Sequence, residues 1–301
     1  VQHHPDGDEP GFSGHDADGL RIYGSHHVIR GNWVHDIADP TESDYNIDPH
    51  ADCLQTWDGP QPNGRPVMTD TLIEGNHFHV AHASGKGILM ESTRGNACHD
   101  IVIRNNIFEF RDQGVTASDG LFRNIFVDNN TFRANFDDPP WGVSVLMRDV
   151  ENFSVRNNII VDCHAETRDI VGGSGVVSHN LLWFSAEDIF RGTPAVGDDE
   201  IWDMDPLFVS YGDSGESDYH LREGSPAIDR GATIDEIDVD SDGFSRPHGT
   251  GYDMGAFEFD GPTDDCDGTD DGSQCATGCP VYVDPTVSPG GNGASSTPFP
   301  N

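Results

Sequence analysis

The sequence predicts an all-β solenoid, a chain wound into stacked coils of short strands. Three observations carry the prediction. An asparagine returns at Asn32, Asn76, Asn106, Asn130, Asn158 and Asn180, in steps of 44, 30, 24, 28 and 22 residues. Recurrence at that spacing, with occasional insertions, marks a repeat architecture. Each asparagine follows alternation such as Ile101-Val102-Ile103 or Phe153-Ser154-Val155, which buries every second residue and reads as strand. Each is followed by a second short apolar stretch, as in His77-Phe78, Ile107-Phe108, Ile159-Ile160 and Leu181-Leu182.

The unit is therefore a strand, a tight bend and a second strand. Asparagine tolerates the left-handed backbone region and suits such a corner. Stacked in register, the asparagines can hydrogen-bond along a ladder. One unit cannot bury its apolar face alone, and stacking closes the core. A further strand precedes each unit: Asp18–Tyr23, Asp52–Trp57, Lys86–Glu91, Gln113–Ser118 and Trp141–Leu146 align with one another. Their third and fifth positions are small or apolar and should face inward. The first, fourth and sixth should face out or lie at the strand edge, with neighbouring coils about 4.8 Å apart. Over roughly Asp16 to Asp188 these residues resemble the right-handed parallel β-helix proteins with pectate-lyase-like coils, a resemblance that implies a fold and not a reaction.

The chain has 301 residues and a formal net charge of −37, from 53 acidic and 16 basic side chains. That balance argues against nucleic acid, since phosphate binding needs a positive field. It suits a secreted protein, a calcium-rich setting or a high-salt organism. No run approaches the length of about 18 apolar residues that a membrane span needs. Cys53, Cys98 and Cys163 are scattered through the repeats and read as buried thiols. Cys266, Cys275 and Cys279 cluster in an acidic, Gly-rich stretch and read as a disulfide-stapled linker outside the cell, with a zinc site the weaker alternative.

Residues 1–16 read as a lead-in loop or incomplete coil, and 17–204 as the β-helix. From Asp205 the character changes, through Asp205-Pro206-Leu207-Phe208, Gly224-Ser225-Pro226-Ala227-Ile228-Asp229, Arg246-Pro247 and Asp253-Met254-Gly255-Ala256-Phe257-Glu258. This stretch resembles the choice-of-anchor Q type module that follows many secreted bacterial β-helices. The resemblance implies a small C-terminal β module over 205–260 and an extracellular or cell-surface location. Residues 261–279 form the acidic Cys-containing linker. Residues 280–301, with Val281-Tyr282-Val283-Asp284-Pro285, resemble the way such β-helices begin. A slice of a tandem array is the favoured reading and a permuted order with a swapped segment the other; residues 281–299 could pack on the open end of a neighbouring unit, a self-association through the solenoid ends.

Chemistry is expected on the first coils. Uronate lyases of this fold abstract the proton α to a carboxylate and need a base and cationic charge, commonly calcium. Lys86 is the candidate base, with Asp52 and Glu91 able to hold Ca²⁺ and His50 a further catalytic candidate, since Asp48-Pro49-His50 resembles a segment of mannuronan epimerases. Gln55, Trp57, Arg94 and Arg21 are candidates for binding the polysaccharide. Adjacent carboxylates stabilise an ammonium, and a structural salt-bridge ladder explains the same residues. Asp18 with Asp52, or Asp52 with Glu91, could serve as a glycosidase pair. The histidines His26, His27, His35, His50, His77, His79 and His82 read as a metal site, a general base, or a polar bend lined by imidazoles. Asp238, Asp240 and Asp242, before Gly243, match the start of a calcium loop, but Gly249 at the twelfth position excludes an EF-hand. Calcium or an Asx-turn both fit. Trp57, Trp141 and Trp183 could stack on sugar rings. The first expectation is thus a secreted lyase, or a glycoside hydrolase, on acidic polysaccharide. The alternative is a non-catalytic surface protein whose coils build an extended rod; the tandem-like ends favour it, and the net charge, which repels an anionic polymer unless calcium bridges, speaks against the lyase.

Overall fold

A computed structural model describes residues 18–35, 37, 51–58, 66–80, 85–92, 95–134, 142–163, 170–171, 173–183, 199–211 and 217–261. The chain divides into two units, Val1–Phe259 and Asp260–Asn301. Of the second, only Asp260 and Gly261 are among the described residues. The first is all-β, and among the described residues every element is a strand. Among the described residues no helix is long and apolar enough to cross a membrane.

Three parallel sheets dominate, and in each the neighbours are every third strand of the chain, save the consecutive last pair of the third sheet. Sheet A holds β1 (Leu20–Arg21), β4 (Leu54–Trp57), β7 (Lys86–Ser92), β10 (Gln113–Gly120), β13 (Val143–Arg148) and β16 (Ile170–Val171). Sheet B holds β2 (Ser25–Arg30), β5 (Thr69–Glu74), β8 (Cys98–Arg104), β11 (Phe122–Asp128), β14 (Glu151–Arg156) and β17 (Ser174–Ser178). Sheet C holds β3 (Trp33–Val34), β6 (His77–Val80), β9 (Ile107–Phe110), β12 (Thr131–Ala134), β15 (Ile159–Val161), β18 (Leu181–Trp183) and β19 (Ile201–Trp202). An antiparallel pair follows, β20 (Phe208–Ser210) with β21 (Asp218–Leu221).

Inward residues of the three sheets share one core, including Leu54 and Ile88 from sheet A, Ile73 and Ile101 from sheet B, and Phe78 and Phe108 from sheet C. Phe78, Phe108 and Phe132 stack in consecutive tiers, with ring centroids 5.2 and 4.7 Å apart. This stack explains the repeated glycine at the start of the sheet A strands. A Cβ on Gly87 would fall 2.7 Å from the Phe108 ring, and one on Gly114 2.8 Å from that of Phe132.

Between sheets B and C the repeated asparagines form the expected ladder. Asn32, Asn76, Asn106, Asn130 and Asn158 each donate Nδ2 to the Oδ1 of the next, over 2.9–3.2 Å. Each backbone N–H donates to that same oxygen. The left-handed corner is not the ladder asparagine but the residue before it: Gly31, Gly75, Asn105, Asn129, Asn157 and His179 have φ between 55° and 65°. The first position turns the chain, and the second spends its amide on the stack.

One part of the strand alignment needs correction. Gln113 pairs with Val143 and Val115 with Val145, two residues from the alignment of Gln113 with Trp141. A two-residue shift leaves every side chain on its own face, so alternation could not detect it. Trp141 lies outside the described residues.

Residues 205–259 build a second core on the outer face of sheet C. Ile159, Val161 and Leu181 pack there with Phe208, Tyr219, Leu221, Met254 and Phe257. The left-handed asparagines anchor this segment: Asn105 Nδ2 donates to Val239 O (2.8 Å), Asn129 Nδ2 to Asp253 O (2.9 Å) and Asn157 Nδ2 to Ala232 O (2.8 Å).

Candidate functional site

The sheet A column expected to carry chemistry is built into the backbone. Asp18 Oδ1 accepts the Asp52 N–H at 3.2 Å, and Asp52 Oδ1 accepts the Lys86 N–H at 2.9 Å. Each carboxylate thus satisfies the start of the next strand. Asp52 is fully buried, and Lys86 is 9% exposed with its Nζ 3.3 Å from Asp112. Burial pushes the Asp18 carboxyl above its usual range, with its Arg21 partner, 2.6 Å away, working against the shift.

Gln55 faces outward as expected but is buried, its Nε2 donating to Glu91 at 3.5 Å. Its register neighbours Leu89, Thr116 and Leu146 are buried too. Outward alternation predicted accessibility here, and the whole column is buried instead. Trp57 pairs in register with Glu91, both half-buried, and Arg21 is exposed. The structure thus brings Asp52, Lys86, Gln55, Glu91 and Trp57 onto adjacent strands. His50, Arg94, His82 and the Cys266, Cys275 and Cys279 cluster lie outside the described residues, as do most of the insertions 38–51 and 58–68.

The histidines spread over two sheets. His26 Nε2 lies 2.9 Å from Asp70 on sheet B. On sheet C, Trp33 stacks on His35 with centroids 4.2 Å apart, and His77 Nε2 lies 2.9 Å from Glu109. Burial raises the Glu109 carboxyl, but hydrogen bonds from His77 and from Tyr219, whose hydroxyl donates at 2.5 Å, outweigh it and hold the group at about 2. Arg133, in the same column, is buried with its Nη1 donating to Ser217 at 2.9 Å and its guanidinium over the Tyr211 ring. This cluster pins the C-terminal segment to sheet C.

Asp238, Asp240 and Asp242 do not converge. Asp240 Oδ1 accepts the N–H groups of Asp242 and Phe244, both at 2.9 Å, and Oδ2 accepts that of Glu258. This is an Asx-turn with a tether. Asp242 instead meets His220 Nε2 at 2.8 Å. Among the described residues no three His, Cys, Asp or Glu side chains gather as a metal site. Cys53, Cys98 and Cys163 are buried, and burial pushes the Cys98 thiol up to about 12.

Two features escaped the sequence reading. Arg30, Glu74, Arg104, Asp128 and Arg156 align at the ends of the sheet B strands and alternate in sign. Glu74 takes Arg30 at 2.7 Å and Arg104 at 2.6 Å, and Asp128 takes Arg156 at 2.9 Å. Their signal, one charge two residues before each ladder asparagine from Asn32 to Asn158, is legible in the sequence. The second is a shallow groove of about 330 Å³ on sheet B, lined by Val28, Leu72, Val102, His26, Asp70 and Asp100 among others. No protein-family model matches this chain, and no curated protein matches its sequence.

Proposed function

We propose that the chain is a right-handed parallel β-helix solenoid of the pectate-lyase-like kind over residues 17–204, carrying a choice-of-anchor Q type module over 205–260. On this reading it is an extracellular or cell-surface protein that acts as a non-catalytic structural or adhesive scaffold, associating through its solenoid ends. The observation that carries the reading is the commitment of the lyase candidates to structure. A general base must come within about 3 Å of the proton it takes. Lys86 is nearly buried against Asp112, and the Asp52 carboxylate holds the Lys86 backbone.

Exposure of apolar side chains supports association. Of the large hydrophobic residues exposed among those described, Val28 and Trp33 lie in the first strands, while Val176, Trp202 and Met204 lie in or beside the last. Leu121 alone lies between. Leu72, Val102 and Phe126, which share the column of Val28, are half-buried, each having a neighbour on both sides. Among the described strands, no further tier follows those of Val28 and Val176.

A polysaccharide lyase on acidic polymer, assisted by Ca²⁺, is the second reading, favoured by the half-buried, register-paired Trp57 and Glu91 at the edge of the same column. Uronate polymers, offered with and without Ca²⁺ and followed by ultraviolet absorbance of the unsaturated product, decide between them. The scaffold reading expects no product. Product formed by the native protein but lost in Lys86→Ala overturns it.

A further inference from the structure

Residues 208–259 hold together by contacts of their own and meet the stack through a separate set. Within the segment β20 pairs with β21, Gly231 bridges Tyr252, Val239 bridges Ser245, and Arg246 is buried against Glu258. Toward the stack the segment meets Asn105, Asn129, Asn157, Thr131 and Glu109. One short connection, residues 203–207 between β19 and β20, joins the two. Asp203, Met204 and Asp205 are exposed, Met204 at 50%.

The connection concentrates backbone strain. Asp203 and Leu207 both have φ of 54°. Among the described residues, every other non-glycine at positive φ is Asn, Asp or His, the types that best tolerate the left-handed region. Leu207 is the exception, and its aliphatic side chain makes no local hydrogen bond to offset the crowding of its Cβ.

Docking also interrupts a rung. Asn157 Nδ2 donates to Asn129 Oδ1 at 3.1 Å, one step of a second ladder beside the first. The next step, from Asn129 to Asn105, is not made. Asn129 Nδ2 turns instead to Asp253 O at 2.9 Å and Gly255 O at 3.5 Å. Asn105 Oδ1 is left buried without a hydrogen bond. When the segment lifts, that oxygen is an acceptor for Asn129.

We infer that residues 208–259 exchange between two copies of this chain, each segment docking on sheet C of the other copy around a two-fold axis near the hinges 203–207. Short connections under strain invite such exchange, and a pair related by a two-fold axis reuses the docking contacts of the single chain. The second copy offers the same asparagines, the same Glu109 and the same Thr131. Extending the hinge takes Leu207 out of the left-handed region, and five extended residues reach about 17 Å. The exchange adds a second mode of association to the scaffold reading and does not rest on the solenoid ends.

A disulfide across the docking contact tests this. Ala256 N donates to Thr131 Oγ1 at 3.1 Å, so the double variant Thr131→Cys with Ala256→Cys sets two thiols at one docked contact. The full chain is refolded from urea at low and at high protein concentration and oxidised. Sedimentation velocity and non-reducing electrophoresis read the outcome, Thr131→Cys alone gives the background from the native cysteines, and circular dichroism confirms the β signal. Exchange predicts covalently joined dimers at high concentration and monomers closed within one chain at low. Leu207→Gly, in otherwise native protein, relieves the hinge and should lower the dimer fraction by about fivefold or more. A dimer fraction unchanged by Leu207→Gly, or dimers whose disulfides all lie within single chains, overturn the exchange and leave the scaffold reading standing. Monomers at every concentration overturn the exchange together with the self-association of that reading.

Discussion

The stacked sheets and the C-terminal segment solve the same problem, placing polar groups in a dry interior, in opposite ways. In the stack each solution is small and repeated: one asparagine per tier, alternating charges at the strand ends, a carboxylate at the start of a strand. In residues 205–259 the solution is unique. Arg246 is fully buried, donating to Glu258 at 2.6 Å and to the carbonyls of Asp253 and Gly255 at 3.1 and 2.7 Å. Asp253 in turn accepts the N–H groups of Asp229 and Phe259. A repeat spreads stability over nearest-neighbour terms, so one lost rung is local. A network with one centre fails at that centre.

The largest expected effect is at that centre. Arg246→Ala leaves Glu258 buried without its counter-charge and should cost about 3–5 kcal/mol, read as a lowered urea midpoint. Loss of protection should be confined to residues 205–259 in hydrogen exchange, with the tiers still protected. Melting of the tiers together with the segment would break the contrast.

A smaller effect separates rungs within the stack. Asn130 is fully buried, while Asn32 is exposed. Asn130→Ala strands the Ile103 and Asp128 carbonyls along with its ladder partners, and should cost about 3 kcal/mol where Asn32→Ala costs about 1 or less. Equal midpoints for the two would mean that the ladder follows the backbone without holding it.

The smallest effect is a pH dependence in the C-terminal segment. Burial lowers the affinity of His220 for a proton, but hydrogen bonds to Asp242 and Asp218 on its two ring nitrogens outweigh this and hold it at about 9. A folded value above the unfolded one stabilises fully below the ordinary histidine range and is lost as pH rises through about 9. The side chain is 39% exposed, so solvent screening limits the effect to about 1 kcal/mol. His220→Gln should flatten the stability of the segment between neutral pH and about pH 10.

The repeats were legible because period and alternation survive in sequence. So was the ladder, down to its spacing. The charge alternation two residues earlier was equally visible, but isolated charges in an acidic chain carry little weight until register aligns them. The burial of Asp52, Lys86 and Gln55 was not legible, since alternation reports which face a residue takes and not what covers that face. Nor was the grip of residues 205–259, whose contacts join positions more than a hundred residues apart, as between Glu109 and Tyr219.

The doubled asparagines also make the docking degenerate. Asn105, Asn129 and Asn157 offer the same amide at successive tiers, so a segment displaced by one tier would still find handles in phase. Identical handles fix the angle of attachment but not its position along the axis. Position must come from marks that occur once, and Glu109, Arg133 and Thr131 supply them, meeting Tyr219, Ser217 and Ala256. The arrangement works like a vernier, with an even scale on the tiers and a single index on the segment. Erasing the index, and not the scale, is what would let the segment slide.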